Sequence, residues 1–228
     1  MKHEYGDSLT PKSVDIPDRV WRVALIPSGQ RFSEIAPGDA LLPDAGNRFD
    51  VPGGGVLYCA TERRGSYLET LAGKRVSPKM AALVQDDPSG FMPPNSIPAS
   101  WRDERRLFSV GTTHPAPFID LEDLETRQFL LGQVGEQLEP LGVDTLDVPD
   151  VRGINRLLTR EIARWAYSSL DDEGVFNYSG IRYVSKLDDE ECWAIFDGTE
   201  TFIHEQSTIE KTDPSLIDVA RLFNLTIH

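Results

Sequence analysis

Two separated stretches of this chain hold its reactive side chains. In the first, Gly46-Asn47-Arg48-Phe49-Asp50 sets a cation on a glycine-flanked turn. Gly53-Gly54-Gly55 follows, then the apolar run Val56-Leu57-Tyr58-Cys59-Ala60, then Tyr67-Leu68-Glu69. In the second, Gly180-Ile181-Arg182-Tyr183-Val184-Ser185 reads as a strand that ends on a hydroxyl. Glycines let backbone approach a ligand closely, and an arginine presents a planar fork that matches phosphate oxygens. An Arg, a Glu and a Ser gathered on such backbone suit a phosphate-bearing ligand with a ribose attached.

Taken singly, each residue has a plainer reading beside that one. Arg48 alone is a surface arginine on a turn, and Glu69 alone is a solvated helix residue, because both types are mostly exposed. Arg22 lies inside the apolar run Val20 to Ile26, where an unpaired charge is costly; a structural ion pair and a ligand-binding cation are both open. Tyr58 fits either the core or a stacking surface, and Ser185 fits a turn cap as well as a site. The glycine run lacks Walker and Rossmann spacing. His3, His114, His204 and His228 show no metal-ligand spacing, so no metal is expected. Asp171-Asp172-Glu173 and Asp188-Asp189-Glu190-Glu191 lack the EF-hand pattern and read as solvated turns.

The elements that must hold these residues follow from periodicity and punctuation. Residues 20–26, 56–60, 106–110, 118–120, 181–185 and 192–197 read as strands, with 201–204 as a further candidate. Residues 64–72 read as a short helix with Tyr67, Leu68 and Leu71 on one face and Gly73 at its end. A helical stripe runs through Leu124, Leu131, Val134, Leu138 and Leu141. A second, opened by Pro149, runs through Ile154, Leu157, Leu158, Ile162, Trp165 and Ala166. Asp213-Pro214 starts a last helix with an acidic cap. Pro78, Pro88, Pro93, Pro94 and Pro98 mark 74–104 as a loop. Residues 1–18 form a polar lead-in to a single domain over 19–228, with a C-terminal extension from 198. Strands and helices mix without regular alternation, which predicts one α+β domain.

Composition narrows the function classes. With 37 Asp and Glu against 23 Lys and Arg, the 228-residue chain carries −14, which repels nucleic acid and anionic membranes. A site for an anion must therefore concentrate its cations locally. No apolar run is long enough to span a membrane, and the polar N-terminus lacks a signal-peptide core. Cys59 and Cys192 both lie in apolar runs and read as buried free thiols, which fits a reducing cytoplasm.

The ordered set resembles the RES domain family, named for Arg, Glu and Ser, whose studied members consume NAD as toxins of bacterial toxin–antitoxin pairs. The resemblance rests on Trp21-Arg22, Asn47-Arg48-Phe49-Asp50, Leu57-Tyr58, Glu69 and Gly180 to Ser185, in that order. It implies a fold similar to ADP-ribosyltransferases, a curved split sheet with flanking helices and NAD in the cleft. It implies Arg22 and Arg48 as pyrophosphate contacts, with Tyr58 packed on the nicotinamide or its ribose and Tyr183 also holding the dinucleotide. Glu69 would sit at the reacting ribose with Ser185 beside it, so that Glu69, Arg48 and Ser185 form the catalytic set. The implied partners are NAD as substrate, a helix-turn-helix antitoxin and, as a further possibility, a second copy of the chain. The alternative is a non-catalytic RES-like module that binds a nucleotide or another protein. The chain departs from the compact toxin pattern in its length, its acidity, its Pro-rich loop and the Asn47 and Asp50 of its Arg48 segment.

Overall fold

The apolar runs become strands of a mixed sheet in a computed structural model, which describes residues 10–77, 79 and 95–228. In chain order the strands are β1 (Ser13–Val14), β2 (Val20–Leu25), β3 (Ser33–Glu34), β4 (Gly55–Ala60), β5 (Ser96–Ile97), β6 (Arg105–Thr112), β7 (Phe118–Asp120), β8 (Gly180–Val184), β9 (Glu191–Phe196), β10 (Thr201–Thr208) and β11 (Thr226–Ile227). The helices are α1 (Arg63–Leu71), α2 (Ala99–Asp103), α3 (Leu124–Leu138), α4 (Val148–Arg152), α5 (Arg156–Tyr167) and α6 (Pro214–Leu222). The main sheet runs β1-β7-β8-β9-β4-β2-β6-β10, with β3 also on β4; β5 and β11 pair separately. Neighbours are antiparallel except β7 with β8 and β5 with β11. The class is α+β, a mixed sheet with flanking helices, as the sequence pattern predicts.

The sheet is split at its centre, and this split makes the site. β4 pairs with β9 from Val56 to Ala60, but it meets β2 at the single pair Trp21–Ala60. Beyond that pair β2 follows β6, while the far end of β4 pairs with β3 at Val56 and Gly55. Backbone groups along the gap lose their ladder partners and need substitutes. Arg22 supplies one: its Nη1 donates to the Tyr58 carbonyl at 3.0 Å and its Nη2 to the Arg31 carbonyl at 3.2 Å.

Both faces of the sheet are covered, which is why β4 reads as a continuous apolar run. Val56 and Ala60 pack with Leu130, Val134, Leu158 and Ile162 of α3 and α5, whereas Leu57 and Cys59 pack with Val20, Phe108 and Trp193. A third cluster joins Tyr67, Leu68 and Leu71 of α1 to Leu216 and Val219 of α6. Asp213 caps α6 by accepting from the Ser215 and Leu216 amides at 2.9 and 3.2 Å. Cys59 stands opposite Trp193 and Cys192 opposite Ala60, so the two thiols point to opposite faces and stay free. Burial pushes the Cys59 thiol up to about 12, which leaves it unreactive.

Several expectations change. Ile154 is no part of a helical stripe: it lies between α4 and α5 and is 81% exposed. Leu124, the first residue of α3, is also exposed, and Leu130 takes the buried position instead. Gly73 falls inside a short 3-10 turn that prolongs α1 rather than ending it. The loop expected over 74–104 holds β5 and α2 at its C-terminal end, with Ile97 and Trp101 buried; residues 78 and 80–94 lie outside those described. From residue 198 onward the chain supplies β10, paired along β6, and α6, packed on α1. Among the described residues no helix is long and apolar enough to cross a membrane.

Gly180 opens β8 at φ +158°, where an added Cβ would lie 2.1 Å from the Ala194 carbonyl oxygen of β9. Gly180→Ala is expected to lower stability by about 3 kcal/mol or more, because β9 backbone must shift. Denaturant unfolding measures this, and a loss under about 1 kcal/mol would contradict the close β8–β9 approach.

Candidate active site

The Arg48 turn is tied down by a buried carboxylate. Gly46 adopts φ +57°, and a Cβ there would stand 2.8 Å from the Asp50 carboxylate. Asp50 has no exposed surface. Its Oδ2 accepts from the Asn47 amide at 2.7 Å and the Ser33 hydroxyl at 2.9 Å, and its Oδ1 accepts from the Tyr58 hydroxyl at 2.8 Å. The Tyr58 hydroxyl in turn accepts from the Phe49 amide at 3.0 Å. Burial, with the Asp50 charge second, drives the Tyr58 phenol well above its ordinary pKa, so it stays protonated as a donor. Asp50→Ala is expected to cost on the order of 3 kcal/mol, since the Asn47, Ser33 and Tyr58 donors lose their acceptor. Thermal unfolding checks the loss; a fully stable Asp50→Ala protein would show that the turn is held by other contacts.

Held this way, Arg48 lies over two rings, 5.1 Å from the Phe49 centroid and 5.0 Å from that of Tyr183. The rings themselves pack at 4.8 Å, joining the turn to β8. Arg48 Nη2 donates to the Val151 carbonyl of α4, and Thr159 of α5 donates to the Arg48 carbonyl. The Nε atoms of Arg48 and Arg22 are both buried without a partner among the described residues. Burial pulls the Arg22 guanidinium below its ordinary pKa, yet an arginine remains charged.

Across the cleft, α1 presents Glu69 to solvent. Ser185, the residue after β8, is buried and donates to Glu69 Oε1 at 2.6 Å. The same hydroxyl accepts from the Leu187 amide at 3.1 Å, which fixes its proton toward the carboxylate. The structure thus brings Arg22, Arg48, Tyr58, Tyr183 and Glu69 onto one cavity of about 600 Å³, with Ser185 behind Glu69 rather than on the wall. Tyr58 is half-buried and lines this cavity, but its hydroxyl is fully engaged by the Arg48 turn. A second cavity, of about 960 Å³, shares Arg22, Val23, Ser33 and Asn47 with the first.

Charge in the cleft runs against charge in the chain. The wall carries Arg22, Arg48, Arg156 and Lys186 against Asp44 and Glu69. Among the described residues none of the four cations is ion-paired to a carboxylate. In a chain of −14 this is a local reserve of positive charge, suited to phosphate oxygens. Arg156 and Lys186 escape a reading of the sequence because a cation at a helix start and one beside Ser185 follow no recognisable pattern. The glycine run does something other than approach a ligand in this cavity: a Cβ on Gly54 would meet the Tyr167 ring at 2.7 Å, and one on Gly55 would meet Phe32 at 2.8 Å. Gly54 and Gly55 permit close packing onto α5 and onto the segment before β3.

The family model described as the RES domain matches residues 19–216. No curated protein matches the chain. Among solved structures, a chain of the M. tuberculosis MbcT–MbcA toxin–antitoxin complex superposes with a TM-score of 0.45 at 11% identity, covering 93% of this chain and 90% of that one.

Proposed function

We propose, since the chain belongs to the RES domain family, that it binds NAD in the split of its sheet and breaks the nicotinamide–ribose bond. The observation that carries the proposal is a carboxylate, Glu69, fixed by the buried Ser185 hydroxyl, in a cleft whose Arg22 and Arg48 have no carboxylate partner among the described residues. The arginines hold the pyrophosphate through charge and through the Nη hydrogens that their carbonyl partners leave free. Tyr183 and the ring face of Tyr58 hold the nicotinamide half. Tyr58 contributes its ring because its hydroxyl already bonds Asp50 and the Phe49 amide.

The chemistry follows from where charge moves. In NAD the nicotinamide ring carries the positive charge. As the carbon–nitrogen bond breaks, its electron pair returns to the ring nitrogen, nicotinamide leaves neutral, and the ribose carbon becomes cationic. A carboxylate on the sugar side therefore gains attraction as the transition state forms, which lowers the barrier rather than only tightening binding. An acceptor oxygen or nitrogen then bonds the sugar carbon and loses its proton. Water gives hydrolysis, phosphate gives phosphorolysis, and a protein side chain gives ADP-ribosylation.

The biological role we infer is that of a toxin in a toxin–antitoxin pair, with a helix-turn-helix protein as antitoxin. Family membership supports it. Inducing the wild-type chain in bacterial cells should deplete intracellular NAD and arrest growth, and inducing Glu69→Gln at the same level should do neither. Growth arrest with NAD unchanged in the wild type would sink the NAD-consuming role.

A further inference from the structure

We infer that Arg64 and Arg152 form a two-sided clamp on the connection between β8 and β9, and that this clamp positions Glu69; the inference rests on the proposed NAD cleavage. The connection, residues 185–190, closes on itself through the Ser185 amide and the Glu190 carbonyl at 2.8 Å. Asp189 within it takes φ +40°, a left-handed turn conformation that Asp adopts more readily than most side chains. Lys186 lines the cleft and Ser185 lies behind Glu69, while Asp188, Asp189 and Glu190 carry three adjacent negative charges.

Each of those charges is gripped. Arg64 of α1 donates from Nη2 to Asp188, from Nη1 to Glu190 at 2.6 Å and from Nε to Asp218 of α6 at 2.6 Å. Arg152, the last residue of α4, donates from Nη1 to Asp189 at 2.7 Å and from Nη2 to Glu122 at 2.7 Å. Glu122 also accepts from the Val184 amide at 3.1 Å, so this second grip reaches the end of β8 directly. The hydrogen bonds to these carboxylates raise both guanidinium pKa values.

The geometry ties the clamp to Glu69. α1 carries both Arg64 and Glu69, and the connection carries both their partners, so the Glu69–Ser185 bond and the Arg64 ion pairs are two fastenings between the same two elements. Gly65 permits the approach, since a Cβ there would lie 2.8 Å from Ala60 and 3.2 Å from the Glu190 side chain. Without Arg64, Asp188, Glu190 and Asp218 would repel one another at the point where Ser185 must hold its hydroxyl. Neither arginine lines the cavity; each is a positioning residue that acts through Ser185.

The test is a double-mutant cycle on NAD cleavage by the full chain. Arg64→Gln is expected to lower kcat by about tenfold to a hundredfold, the scale of a small misplacement of a catalytic group, with KM for NAD changed less than about threefold. In a Glu69→Gln background the same change is expected to lower kcat no further. Arg152→Gln repeats the test from the other side and serves if Arg64→Gln does not fold. Folded variants with wild-type kcat, or with equal losses with and without Glu69, would overturn the inference while leaving the proposed cleavage intact. If the wild type releases no nicotinamide, the proposed cleavage itself fails; if the wild type and Glu69→Gln release it equally, Glu69 has no part in the cleavage and the clamp's role is overturned.

Discussion

Glu69→Gln lowers nicotinamide release from NAD by about two to three orders of magnitude, the size associated with removing one electrostatic stabiliser of a transition state. Glutamine keeps the volume and can still meet the Ser185 hydroxyl, so the loss isolates the charge. Binding of NAD, followed by calorimetry, should change little, because Glu69 faces a charge that grows only as the bond breaks. Ser185→Ala should give a smaller loss of rate. The Ser185 hydroxyl is buried behind the carboxylate and orients it without reaching the cavity. Near-normal turnover of Glu69→Gln would remove the carboxylate from the mechanism.

Removing Arg22 and Arg48 together raises the dissociation constant for NAD by about three orders of magnitude. Two charge-assisted hydrogen-bonding groups are lost, each contributing roughly 2 kcal/mol. The singles should differ in kind. Arg48→Gln should mainly weaken binding, because its turn is also held by Asp50 and Thr159. Arg22→Gln should weaken binding and also lower stability, because Arg22 bridges the gap in the sheet through the Tyr58 and Arg31 carbonyls. Calorimetry and denaturant unfolding on the same variants separate the two effects. A double variant that binds NAD within about tenfold of the wild type would mean that the pyrophosphate lies elsewhere.

The strands were legible where both faces of the sheet are covered. β4, β7, β8 and β9 read as short apolar runs, and each begins or ends within a residue or two of the expected place. The short helix α1 was legible for the same reason, since Tyr67, Leu68 and Leu71 all reach the core. The stripes of α3 and α5 were less so: apolar spacing does not reveal that Ile154 lies on a turn at the cavity rim and that Leu124 faces solvent. The candidate site was legible as an ordered set of residue types, and the structure does bring Arg22, Arg48, Tyr58, Tyr183 and Glu69 to one cavity. What sequence could not supply were the long-range ties. Asp50 reads as one more polar turn residue until folding buries it under Tyr58 and Ser33. Arg22 read equally as half of an ion pair or as a ligand contact, and its bonds are to carbonyls across a gap that no local pattern announces.

Purified protein incubated with NAD, alone, with inorganic phosphate and with a cell lysate as a source of acceptor proteins, and then resolved by nucleotide chromatography, decides the matter. Free nicotinamide is expected in at least one of the three from the wild type and background levels from Glu69→Gln, with the effective addition naming the acceptor. NAD left intact by the wild type in all three, or consumed equally by both proteins, would contradict the proposed mechanism.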